Sequence, residues 1–327
     1  MHDRSVYDAT PSARLEPEKP RRAEPASCRR PNALSVDVED YFHVEAFADR
    51  VRYEDWPSFP GRVVRNTQRL LELFARHGAR GTFFILGWVA EREPALLRQI
   101  VAAGHEIACH SYRHAALWRL TPEEFRADTR RAVQCIEDAV SVPVVGYRAP
   151  TFSIVPRTLW ALEILAEEGF LYDSSVFPVA HDLYGIPDAP RFPFRWELAA
   201  GRSLYEIPPM TVRLAGRNLA IAGGGYLRQY PMWFTRWAVR RVQQSERRPV
   251  LIYLHPWETD PAQPRLSGRW KSRLRHYRNL EQMEARLDEL LSNGWFVPFR
   301  EFLEWERQHG HLTAVSPTCF DGSSQKH

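Results

Sequence analysis

The sequence predicts an α/β chain folded as a distorted (β/α) barrel of seven to eight parallel strands, with a C-terminal extension. Three observations carry that prediction. Apolar runs of strand length alternate with helix-periodic segments at least four times, through short connections. No run is followed by a Gly-x-Gly-x-x-Gly turn, which disfavours an open dinucleotide-binding sheet. The chain has 327 residues and 44% apolar content, enough for a barrel-sized core.

Ordered structure is expected to begin with the β-rich run Ala33-Leu-Ser-Val-Asp-Val38. A polar and aromatic loop follows through Trp56 and Gly61. Val63, Thr67, Leu70, Leu71 and Phe74 then recur at helical spacing up to Gly78. Thr82-Phe-Phe-Ile-Leu86 reads as a strand, Ala95 to Ala103 as a helix stopped by Gly104, and Glu106-Ile-Ala-Cys109 as a third strand. Thr121-Pro-Glu-Glu124 is a capping box with proline at the first helical position, opening a helix to about Val140. A strand at 144–148, a helix at 157–168 and a strand at 170–173 continue the rhythm. Residues 178–202 read as loop and 204–207 as a strand; Gly223-Gly-Gly225 marks a flexible or close-approach loop. A basic amphipathic helix at 232–247, a strand at 250–254, a helix at 280–291, a strand at 295–297 and a helix near Phe302 complete about eight strands and seven helices. The domain reading is a disordered tail over 1–31, a catalytic domain over 32–305 with its extension from about 190, and a flexible tail over 306–327.

Composition narrows the function. With 44 Lys+Arg against 40 Asp+Glu the net charge is only +4, so no nucleic-acid partner is expected. Cys28, Cys109, Cys135 and Cys319 are scattered without a Cys-x-x-Cys pair, as in a reducing compartment. No run approaches the roughly 18 apolar residues of a membrane span. The polar, proline-bearing start lacks the apolar core of a signal peptide, so a cytoplasmic location is expected. Eleven Trp, 12 Tyr and 17 Phe fill the core and could also supply sugar-stacking platforms.

In a parallel barrel the reacting groups gather at the C-terminal ends of the strands. Reading those ends in order gives Asp37, Glu39 and Asp40, then His110 and His114, then Arg148 and Pro150, then Asp173, and finally His255. Two imidazoles four residues apart, in a helix or tight turn, can close on one divalent cation, with a carboxylate supplying a third ligand. Each residue alone has a bland reading, as a turn cap, a solvated strand-end charge or a packing histidine. Their coincidence at matched strand ends favours a metal site.

These residues resemble the polysaccharide deacetylases of the NodB-homology type (carbohydrate esterase family 4), over roughly 33–305. The chain is most similar to the branch associated with exosortase/PEP-CTERM exopolysaccharide loci. His110-Ser-Tyr-Arg-His114 matches that family's His-[Ser/Thr]-x-x-His motif. Arg148-Ala-Pro150-Thr-Phe152 matches its Arg-x-Pro motif, Asp173 is the candidate for its strand-end aspartate, and Leu254-His255 matches its last motif loosely. The usual adjacent aspartates are replaced by Asp37-Val-Glu39-Asp40. Either Glu39 or Asp40 is then the metal-binding carboxylate, because Glu39 shares a strand face with Asp37 and Asp40 becomes reachable if the chain turns. Tyr253 also stands where a leucine is usual.

The resemblance implies a divalent metal, foremost Zn²⁺, on His110, His114 and one of those carboxylates. It implies Asp37 as general base, oriented by Arg148, and His255 as general acid, kept charged and oriented by Asp173. A backbone N–H near Thr151-Phe152 would stabilise the oxyanion. Pro150, Thr151, Phe152, Tyr41, Leu254 and Trp257 are the candidate substrate contacts. The implied substrate is an N-acetylated glycan or a lipid-linked oligosaccharide precursor. The basic helix at Arg236–Arg241 could touch anionic lipid at the inner face of the membrane, although a solvated helix face is the readier reading. The residues leave the oligomeric state open. Two other functions fit less well: an amidohydrolase of small cyclic amides, and a non-catalytic carbohydrate-binding protein. A metal-free glycosidase on two of the three acids leaves the histidine pair without a purpose.

Overall fold

The computed structural model describes residues 30–221, 223–310 and 312–320. The expectation of a disordered start, apart from its last residues, and the final residues of the expected tail lie outside them.

Seven parallel strands form the frame: β1 (Asn32–Val38), β2 (Thr82–Ile85), β3 (Glu106–Cys109), β4 (Gly146–Tyr147), β5 (Tyr172–Asp173), β7 (Ser203–Glu206) and β10 (Leu251–Leu254). Their order is β10-β1-β2-β3-β4-β5-β7, and the short β11 (Phe296–Val297) also pairs with β1. β6 (Phe194–Glu197) lies antiparallel on β7. No ladder joins β7 to β10 among the described residues, but the chain beyond β7 reaches β10. Met210 N donates to Leu251 O, and Gly223 bridges in parallel to Tyr253. A distorted barrel with seven parallel strands is therefore the architecture, as the alternating pattern predicts.

The helices stand where periodicity places them. α1 (Val63–Arg76) buries Val63, Leu70, Leu73 and Phe74; α2 (Gly87–Arg92) and α3 (Pro94–Ala102) follow β2. α4 (Pro122–Val140) opens on the complete Thr121–Glu124 capping box. α5 (Trp160–Glu167) crosses to β5. Farther on come α6 (Gly224–Gln229), α7 (Met232–Arg240), α8 (Trp270–Tyr277), α9 (Met283–Ser292) and α10 (Phe299–His309).

Several expectations need correction. The segment read as loop over 178–202 contains β6, because Trp196 donates from Nε1 to Glu206 and pairs across to Leu204. A hairpin of β8 (Thr211–Leu214) and β9 (Arg217–Ala220) was not foreseen; Ala215 and Gly216 both carry positive φ (48° and 78°), as a two-residue hairpin turn requires. The helix expected over 232–247 is α-helical only to Arg240 and continues as one π-turn, Arg241–Ser245. Between the strand expected at 250–254 and the helix expected at 280–291, where the sequence predicts no element, lies α8. The tail expected to be flexible from 306 is ordered through 309 in α10, and β12 (Thr313–Val315) pairs with β6. An unpaired edge of β6 was available, and a three-residue strand is too short to show a pattern.

Candidate active site

Register explains how the site is assembled. Val36 pairs with Leu254, so His255 emerges beside Asp37. Val38 is level with Ile85, and Ile85 with Cys109, so His110 emerges level with Glu39. Cys109 is level with Tyr147, so Arg148 joins the same tier. Side chains alternate across a pleat, so Ser35, Asp37 and Glu39 share the interior side.

The histidine pair is tightly turned rather than helical. Ser111 and His114 both carry positive φ (63° and 52°), and His114 N donates to Ser111 Oγ. Such strain in non-glycine residues, typically 1–3 kcal/mol each, collects at functional sites. The turn brings His110 Nε2 and His114 Nε2 each to 3.1 Å from Glu39 Oε1, with all three side chains buried. His110 Nδ1 donates to Arg148 O at 2.8 Å, which orients the ring with Nε2 toward Glu39, the carbonyl support that metal-binding imidazoles commonly have. Burial alone would raise the Glu39 carboxyl; the fields of His114 and His255 and hydrogen bonds from both histidines of the pair outweigh it and hold the carboxyl well below its ordinary range. Burial works against a charged His114, yet Glu39 raises its pKa overall. Two imidazole nitrogens and one carboxylate converging on one point suit zinc or a similar divalent cation, so these residues fit the expected metal.

Asp40 turns away from the cluster. Its Oδ1 accepts from Tyr41 N, and its Oδ2 accepts from Arg62 N and Val63 N, the first amides of α1. Asp40 is thus a cap on a helix start. Glu39 is the carboxylate at the histidines.

Asp37 is clamped by Arg148, whose Nη1 donates to Oδ1 at 2.6 Å. The same guanidinium donates to Ser35 Oγ, Ser174 O and Ser174 Oγ, and lies over the Phe84 ring at 4.1 Å. This leaves Asp37 Oδ2 facing His255 Nε2, 3.9 Å away, while His255 Nε2 stands 3.7 Å from Glu39 Oε1.

Asp173 does not support His255. It is level with Tyr147, which packs on Phe125 of α4, so the pleat turns it away from Arg148 and the site. Its carboxylate accepts from Ser175 N and Ser175 Oγ, and it is paired in register with Glu206. Burial pushes the Asp173 carboxyl up to about 6, against hydrogen bonds from Glu206 and Ser175, and drives Glu206 well above its ordinary range.

The partner of His255 is Glu258. Its Oε2 lies 3.2 Å from His255 Nδ1 and accepts from His255 N at 3.0 Å, while its Oε1 accepts from Arg228 Nε at 3.0 Å. Arg228 Nη1 is fixed by the carbonyls of Arg275, His276 and Arg278. Burial opposes a charged His255, but Glu39, Glu258 and Asp37 together push it up to about 9. Gly224 makes room for this pair, because a Cβ there would meet Glu258 Oε2 at 1.7 Å. That is the close approach marked by Gly223-Gly-Gly225. The spacing of His255-Pro-Trp-Glu258 is that of a capping box, a signal present in the sequence; Arg228 leaves no comparable trace.

The expected substrate contacts divide. Pro150, Thr151 and Phe152 form a tight turn beside Arg148, with positive φ at Thr151 (58°) and Phe152 (50°). Tyr41 and Leu254 are fully buried and reach no cleft; Tyr41 packs edge-on against Phe42 and Phe59. Trp257 is sandwiched between His255 and His276, stacked at 5.1 and 4.2 Å, and so braces the histidine rather than offering a sugar platform.

Two family models match the chain. Residues 52–167, carrying His110, His114 and Arg148, match "Polysaccharide deacetylase"; residues 174–304, carrying Arg228, His255 and Glu258, match a domain of unknown function (DUF3473). Similar proteins include a peptidoglycan deacetylase-like protein of Gibberella zeae, 35% identical over 36% of this chain and 34% of its own length. A chitooligosaccharide deacetylase of Bradyrhizobium sp. is 30% identical over 31% of this chain and 43% of its own. The chain thus spans well under half the length of these relatives. A solved structure assigned as a polysaccharide deacetylase of Mycobacterium smegmatis aligns over 90% of this chain and 96% of its own, with TM-score 0.55 and 23% identity. The allantoinase PuuE aligns over 90% and 99%, with TM-score 0.54 and 17% identity, and both show a shared fold. The matched family model and the deacetylase names of the relatives show that residues 52–167 are similar to the polysaccharide deacetylases.

Proposed function

We propose that this chain is a metal-dependent N-deacetylase of amino sugars in a glycan. One observation supports this above the rest: His110, His114 and Glu39 converge on one point, and beside it His255 Nε2 stands 3.7 Å from Glu39 and 3.9 Å from Asp37. A divalent cation, zinc foremost, held by those three residues would supply Lewis acidity toward the amide carbonyl and the attacking water.

The chain's own residues do the rest. Asp37 Oδ2, left open while Arg148 holds Oδ1, takes the proton of the attacking water. The Thr151 amide, on its left-handed turn, is the candidate donor to the oxyanion. His255 Nε2 gives its proton to the departing nitrogen as the carbonyl–nitrogen bond breaks, releasing acetate and a free amine. Glu258, pinned by Arg228, holds the other side of the ring.

The proposed substrate is an N-acetylated glycan or its lipid-linked precursor, in exopolysaccharide biosynthesis of the exosortase-associated type. The catalytic unit is taken as residues 32–305, with the extension from about 190 supplying Arg228, His255 and Glu258. No helix among the described residues is long and apolar enough to cross a membrane; a cytoplasmic enzyme touching the inner membrane face fits a lipid-linked substrate. Acetate release from N-acetylated oligosaccharides and stoichiometric metal analysis test the reading together. Deacetylation lost in His110→Ala along with the metal supports it. A metal-free protein, or release of ring-opened product from a cyclic amide with no acetate from any glycan, overturns it.

A further inference from the structure

The helix α7 and its π-turn present a surface that the proposed chemistry does not use. Thr235, Ala238 and Val242 are buried on one side. On the other, Trp233, Arg236, Trp237, Arg240, Arg241 and Gln244 are exposed and line one open groove of about 430 Å³. Trp233 is 67% exposed, an unusual cost for an indole in water unless something covers it. The spacing 233, 237, 240/241, 244 follows one helical stripe, which the π-turn extends. Between Pro231 and Ser245 there are three arginines and no acidic residue. Arg236 pairs with Glu289 of α9; Arg240 and Arg241 pair with no carboxylate among the described residues.

We propose that this stripe docks the protein on an anionic phospholipid surface, with Trp233 and Trp237 seated at the headgroup level and Arg240 and Arg241 on lipid phosphates. Indoles prefer that interface because one edge is apolar and the N–H is wet. Unpaired guanidiniums flanking them complement a negative leaflet, and aromatic and basic groups together make the two contributions a peripheral contact needs. A glycan-binding platform would be expected to set free carboxylates beside the indoles; this stripe offers arginines instead, with Gln244 and Ser245 only at its end. The proposal stands apart from the deacetylation chemistry, since no residue of the stripe belongs to the catalytic cluster.

The test is flotation of the full chain with vesicles of phosphatidylglycerol and phosphatidylcholine, against phosphatidylcholine alone, with indole emission recorded in parallel. Binding is expected only to the anionic vesicles, with a blue shift in emission, weakening as salt rises. Replacing Arg240 and Arg241 by Gln is expected to weaken partition about fivefold each. Trp233→Ser with Trp237→Ser is expected to weaken it more than about tenfold and abolish the shift. Turnover of a soluble N-acetylated oligosaccharide is expected to stay unchanged in these variants, so failure of docking and failure of the chemical reading remain distinct. No flotation at low salt, flotation unaltered by all four changes, or saturable oligosaccharide binding that quenches Trp233 in place of lipid binding overturns the proposal.

Discussion

Replacing Glu258 by Gln tests the site most sharply, because it keeps shape and removes one charge. In the native protein His255 is raised from an ordinary 6.5 to about 9, although burial pulls the other way. That rise corresponds to about 3 kcal/mol favouring the charged ring. Glu258 contributes both a hydrogen bond and a charge to that sum, alongside Glu39 and Asp37. With glutamine there, the imidazolium loses its nearest anion, so its pKa falls. Because the folded pKa lies above the unfolded one, the stability it brings is fully present below about 6.5 and is lost as pH rises through about 9. In the variant that contribution is smaller and its loss is complete at lower pH. The same shift moves the alkaline limb of the rate profile, since His255 must carry a proton to give one. The expected result is an alkaline limb in kcat/KM for acetate release displaced by a unit or more toward acid, with kcat reduced roughly 10²-fold or more. Arg228 retains its three carbonyl partners, so Glu258→Gln is expected to fold. Either substitution takes the anion from the buried guanidinium, but Gln keeps an acceptor oxygen for Arg228 Nε, whereas Glu258→Ala removes that too and costs about 3–5 kcal/mol. An alkaline limb that stays in place in Glu258→Gln, with metal content normal, would refute the assignment.

Three further outcomes follow from the geometry. Glu39→Ala is expected to lose stoichiometric metal, whereas Asp40→Ala keeps it and loses about 1–2 kcal/mol of stability with the α1 cap; metal analysis and thermal melts separate them. Asp37→Asn should bind metal normally and turn over at least about 10²-fold more slowly, since only the proton acceptor is gone; metal loss instead would exchange the roles of Asp37 and Glu39. Asp173→Asn should keep activity. The Asp173 carboxyl is raised to about 6, so its contribution to stability is present at low pH and lost as pH rises through that value. The variant is therefore expected to be more stable than the native protein by roughly 1–3 kcal/mol above pH 7 in denaturant titrations. A collapse of activity at native stability would restore Asp173 to the histidine.

Much of the site is legible because its signals are local. His110 and His114, Arg148 and Pro150, and Asp37 with Glu39 each sit within a few residues of one another at a strand end, where pattern and punctuation can be read together. The errors share one cause. Asp173 has the right residue type near the right strand end, but its parity on β5 turns it toward Glu206. Tyr41 and Trp257 are aromatic beside the site, but their faces are taken by Phe42, Phe59, His255 and His276. Composition and proximity in sequence do not reveal which side of a pleat a residue occupies when the strand is two residues long.

The sequence by itself determined the alternation that makes the barrel, because helical and strand periodicities are properties of neighbouring residues. It also determined the histidine pair and the acids around Asp37, because their chemistry is carried by residue type and spacing. Only the tertiary structure decided that Glu39 faces the histidines while Asp40 caps α1, and that Glu258 with Arg228 stands behind His255. Those choices depend on register between strands distant in the chain and on a glycine at 224 that lets its backbone close on the Glu258 carboxylate, and such information exists only once the strands are side by side.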